Sequence, residues 1–81
     1  MTAIDWSAIA ILYERDDSGS DLDIMFHRRD QAPLANLVAH VMALGTAERA
    51  RMVIDRGVDG MLNIHEVVAL AGHADFPGKQ D

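Results

Sequence analysis

The spacing of apolar and polar positions changes along the chain, and each change marks an element. Residues 6–13, WSAIAILY, are apolar almost throughout. Periodicity alone cannot divide such a run between buried strand and buried helix. Asp5 before it suits a helix N-cap, and the alanines favour helix. Ile9, Ile11 and Tyr13 favour strand. The next segments decide. RDDSGSD, residues 15–21, is a loop by composition, with Gly19 at its centre. After it, Leu22, Ile24 and Phe26 alternate with Asp23, Met25 and His27, the period-two pattern of a half-buried strand. Two such runs around a short Gly-containing loop predict an antiparallel hairpin, with strands over about 7–14 and 22–29.

The spacing then becomes helical. Pro33 stands where a helix begins, and Leu34, Leu37, Val38, Val41 and Met42 form an apolar stripe. This predicts a helix over 33–44, stopped at Gly45. Thr46 suits the cap of a second helix over 47–56, which would bury Ala50, Val53 and Ile54 and end at Gly57. Residues 57–63 read as a turn with a short extended piece, MLN. Asn63, with Glu66 three residues on, has capping-box spacing and predicts a third helix over 64–73. Val67, Leu70 and Ala71 are its inward stripe. Residues 74–81 are a tail that Phe76 can pin. The expected fold is therefore α+β: a β-hairpin followed by three short helices, β-β-α-α-α, in one small domain.

Composition bounds the rest. The chain has 81 residues, 49% of them apolar and 25% charged, the values of a globular domain and not of a disordered one. It has no cysteine, so neither a disulfide nor a thiolate zinc site can staple a small core. The net charge is −6, and no basic patch of the kind that binds nucleic acid is evident. Glu14, Asp16, Asp17, Asp21 and Asp23 crowd around the hairpin loop. They are candidates for contact with a basic protein partner, or for imitating a phosphate backbone as an acidic inhibitor of a nucleic-acid-binding protein. The apolar run at 6–13 is too short for a membrane span, and no basic residue precedes it. A cytoplasmic protein with no membrane contact is expected.

The chemically richest stretch is DRGVDGMLNIHE, residues 55–66. Asp55 is its first residue, Asp59 its fifth, Gly60 its sixth and Glu66 its twelfth. This resembles the calcium loop of an EF-hand, in which the Gly allows a sharp turn and the final Glu closes an oxygen shell. The resemblance implies a calcium site built from Asp55, Asp59, the Met61 carbonyl, Asn63 and Glu66, between an incoming and an outgoing helix. It departs from the family at its third place, where Gly57 brings no side-chain oxygen, and no second loop accompanies it. A helix stop, a turn and a capping box account for Gly57, Gly60, Asn63 and Glu66 without calcium.

No other pattern carries chemistry. His27 and His40 are far apart, and His65 and His73 are too widely spaced on one helix to share a metal. There is no nucleophile elbow, phosphate loop or Cys–His pair. So small a body is expected to lack a ligand-sized cleft. The sequence therefore points to a non-enzymatic protein-interaction or regulatory module. A lone two-stranded sheet leaves open edges, which predicts a homodimer in which strands of two copies pair.

Overall fold

The computed structural model describes residues 4–16 and 25–77. The hairpin is present. Strand β1 (Ile9–Asp16) pairs antiparallel with β2 (Met25–Pro33). Their register shifts between Leu12 and Tyr13: Leu12 faces Asp30 and Tyr13 faces Arg28. Arg29 is therefore the extra residue of a β-bulge, which bends and twists the edge. Pro33 ends β2 instead of opening the helix, and α1 (Leu34–Ala43) follows directly. Leu34, Leu37, Val38 and Val41 are buried, as the stripe predicts.

The expectation of a hairpin plus three helices is corrected beyond this point. The second helix is a single turn, α2 (Thr46–Arg49), with Gly45 and not Thr46 at its N-cap. The chain then turns into strand β3 (Met52–Asp55), crosses a 3-10 turn (Gly57–Asp59) and pairs back through β4 (Met61–Leu62). The result is a four-stranded antiparallel sheet of order β2-β1-β3-β4. Two requirements favour strand over helix in MVID. Met52 and Ile54 are buried while Val53 and Asp55 are half-buried, a period-two split. The free edge of β1 also needs a hydrogen-bonding partner, and β3 supplies it. Ala50, assigned to the core by the helical spacing, is exposed.

Helix α3 (Ile64–Ala71) begins at Asn63 with the predicted capping box. Helices α1 and α3 share one core with the inward residues of the sheet: Ala10, Leu12, Met52, Ile54 and Leu62 join Leu37, Val38, Val41 and Val67. Phe76 closes this core, with its ring centroid 5.3 Å from that of Trp6. The helices thus cover one face of the sheet only. Among the described residues no helix is long and apolar enough to cross a membrane.

Candidate functional site

The stretch from Asp55 to Glu66 lies at the β3–β4 hairpin and the start of α3. Asp55 ends a strand, so no helix enters the loop as the EF-hand resemblance implies. Its Oδ1 accepts the Gly57 amide at 2.8 Å, and the Arg56 Nη2 donates to the Asp59 carbonyl at 2.8 Å. Gly57 and Gly60 have φ of 71° and 90°, the left-handed region where glycine carries no side-chain penalty. Asn63 Oδ1 accepts the Glu66 amide at 2.9 Å, and Glu66 Oε1 accepts the Asn63 amide at 3.1 Å. Met61 pairs with Asp55 across the hairpin. Asp55, Asn63 and Glu66 are thus each engaged in local backbone bonds. Among the described residues no three histidine or acidic side chains gather as metal ligands.

The acidic candidates divide. Asp17, Asp21 and Asp23 lie outside the described residues. Glu14 and Asp16 sit near the end of β1 and are engaged with basic side chains of β2: Arg29 donates to Glu14 through Nε at 2.7 Å and also through Nη2, and His27 Nε2 lies 3.3 Å from Asp16 Oδ2. The histidines are dispersed: His27 is on β2, His40 on α1 and His65 on α3, while His73 lies beyond the end of α3, not on one helix with His65 as expected, and its Nδ1 accepts the Asp75 amide at 3.1 Å.

The body is not too small for a cleft, contrary to the expectation from length. A depression of about 390 Å³ lies between residues 4–10, the start of α1 and the β3–β4 turn, with Asp5, Arg56 and Asp59 on its walls. Asp5 is occupied locally, its Oδ1 accepting from the amide and hydroxyl of Ser7.

The most distinctive surface is the helix-free face of the sheet. Alternation places Ile9, Ile11, Tyr13 and Arg15 of β1 there, opposite the buried Ala10 and Leu12. Val53 and Asp55 of β3 share the face, as does Met61 of β4. Cross-strand register adds Phe26, Arg28 and Gln31 of β2. Ile9 is 57% exposed, and Phe26 and Met61 are each 50% exposed. Ile11, Tyr13 and Val53 are half-buried yet do not belong to the core cluster. An antiparallel sheet that meets water on one side normally turns polar residues outward. Here the central strand turns out Ile9, Ile11 and Tyr13.

Sequence reasoning missed this face, although its signal was present. A strand apolar at both parities, as WSAIAILY is, calls for cover on both sides. Phe26 points to the open side, in register with Arg15. No protein family, curated protein or solved structure matches the chain.

Proposed function

We propose that the chain is a non-enzymatic protein-interaction module whose docking surface is the helix-free face of the sheet. The observation that carries this is the outward row of Ile9, Ile11 and Tyr13, flanked by Phe26, Val53 and Met61. A contiguous apolar patch rimmed by polar groups marks interaction sites on small proteins. Tyr, Phe, Met and Arg are the residue types enriched at protein interfaces, and this face carries all four, with Arg15 and Arg28 at its margin. The face carries these two guanidiniums against one carboxylate, Asp55, on a molecule of net charge −6.

Site-specific photo-cross-linking tests the proposal. A photoreactive side chain in place of Phe26 or Met61 is expected to give discrete covalent protein adducts in native lysate. The same group in place of Val68, an exposed apolar residue of α3, is expected to give none. Equal labelling from the two sides, or no adduct from Phe26 and Met61, would remove the sheet face as the docking surface.

A further inference from the structure

The depression beside the start of α1 brings charges of both signs together without pairing them. Asp5, Arg56 and Asp59 stand on its walls, and Ile4, Ile9 and Leu34 supply apolar lining. Among the described residues neither carboxylate forms an ion pair with the guanidinium. Arg56 Nη2 donates to the backbone carbonyl of Asp59, not to a carboxylate, and Nε has no acceptor. That bond takes one of the five N–H donors that a guanidinium offers. Asp5 places Oδ1 on the amide and hydroxyl of Ser7, which leaves Oδ2.

Asp59 is the odd acid of residues 55–66. The side chains of Asp55, Asn63 and Glu66 each accept a backbone amide of their own turn or cap. The Asp59 carboxylate has no such bond among the described residues. Turn and cap therefore explain the other acids of the stretch and leave this one to the depression.

We propose that the depression binds a free apolar α-amino acid. The ammonium of the ligand meets the Asp5 and Asp59 carboxylates, its carboxylate meets the Arg56 guanidinium, and its side chain lies against Ile4, Ile9 and Leu34. Two acids and one guanidinium select this class. A simple carboxylate would add an anion to walls that already carry one excess negative charge. A simple amine would leave the guanidinium without an acceptor. A zwitterion answers both signs, and the apolar lining calls for a side chain beyond them.

Size and order agree with such a ligand. The volume of about 390 Å³ is near the lower end of ligand pockets, which span about 300–1,000 Å³. Asp5 is held by Ser7, Arg56 by the Asp59 carbonyl, and Asp59 by the 3-10 turn that it ends. Groups ordered before the ligand arrives lower the entropic cost of binding it. The site shares only Ile9 with the outward row of the sheet and does not depend on the docking role of that face.

Nuclear magnetic resonance titration of the full chain with L-leucine tests the site. Saturable shifts are expected in the millimolar range at Ile9, Arg56 and Asp59, and none at Val68 on α3. Isoamylamine lacks the carboxylate of leucine, and isocaproate lacks its ammonium. Each should bind about tenfold or more weakly than leucine, the equivalent of a lost charge-assisted hydrogen bond, and isocaproate the weaker of the two. Glycine, without the apolar side chain, should also lose about tenfold or more. Arg56→Gln should weaken leucine about tenfold without weakening isoamylamine. Asp59→Asn, which keeps the carbonyl that accepts from Arg56, should weaken both. Circular dichroism checks the fold of each variant, and the comparison of ligands on the wild-type chain stands whether or not a variant folds.

No saturable shift with leucine, or shifts confined to residues outside the depression, would overturn the site. Isoamylamine or isocaproate binding as tightly as leucine would overturn the zwitterion as its occupant. Glycine binding as tightly as leucine would overturn the role of the apolar lining. Unchanged leucine affinity in folded Asp59→Asn and Arg56→Gln would overturn the assignment of these two charges to the ligand.

Discussion

Asn63 and Glu66 illustrate how much can be read at the residue scale. Their spacing predicts a capping box, and both of its hydrogen bonds form. Replacing Asn63 by Ala should lower stability by about 1 kcal/mol in urea unfolding, the usual cost of a lost N-cap. Glu66→Gln keeps an acceptor for the Asn63 amide and should shift stability by less than about 0.5 kcal/mol. The same pair separates capping from calcium. A calcium site on Asp55, Asp59, Met61, Asn63 and Glu66 would have to draw Glu66 away from the Asn63 amide and Asp55 away from the Gly57 amide. The melting temperature is therefore expected to stay constant on adding millimolar calcium. A ligand at 100 times its dissociation constant adds about 2.7 kcal/mol, so a clear rise that Glu66→Gln abolishes would show that the capping geometry yields to the ion. What the residues could not reveal was the incoming element. The acids at 55 and 59 look alike in sequence whether a helix or a strand leads into them.

At the scale of elements, the hairpin and the outer two helices are legible because their patterns are unambiguous. Leu34, Leu37, Val38 and Val41 fit a helix and no strand. The segment ARMVID fits both. Ala50, Val53 and Ile54 make a helical stripe, while Met52 and Ile54 make a strand face, and only the unpaired side of β1 decides between them. That information lies some forty residues away in sequence, beyond any local window. β3 is flanked by β1 and β4, so its amides should be among the slowest to exchange. Ile54 is wholly buried where β3 meets the helices, and Ile54→Ala should cost about 2–5 kcal/mol. Ala50→Gly should cost well under the roughly 1 kcal/mol of a helix interior, because Ala50 lies in the turn after α2. Comparable losses at Ala50 and Ile54 would restore the helical assignment. Arg49 explains how so short a helix is held: its Nη2 donates to the carbonyls of Met42 and Leu44, closing the end of α1.

Across the whole molecule, the two ends of the described chain brace one another. The first amides of α1, at Leu34 and Ala35, have no partner within their own helix. They donate instead to the carbonyls of Ala8 and Trp6, at 2.9 and 3.0 Å. The segment that carries those carbonyls is held by Trp6, whose ring meets Phe76 at 5.3 Å and His73 at 6.2 Å. Phe76 therefore acts on the start of α1 through Trp6, although it lies far along the chain. A core in a domain this small rarely supplies more than about 3–5 kcal/mol. Truncating a buried Phe costs about 3–5 kcal/mol, so Phe76→Ala should remove most of the stability. The single tryptophan reports it: emission should shift to the red as Trp6 gains water, and the Leu34 and Ala35 amides should exchange faster than those deeper in α1. Phe76→Leu, which keeps an apolar contact, should recover much of the loss. If Phe76→Ala instead melts as the wild type does with unchanged emission, the C-terminal residues do not brace the fold, and α1 is capped by the N-terminal segment unaided.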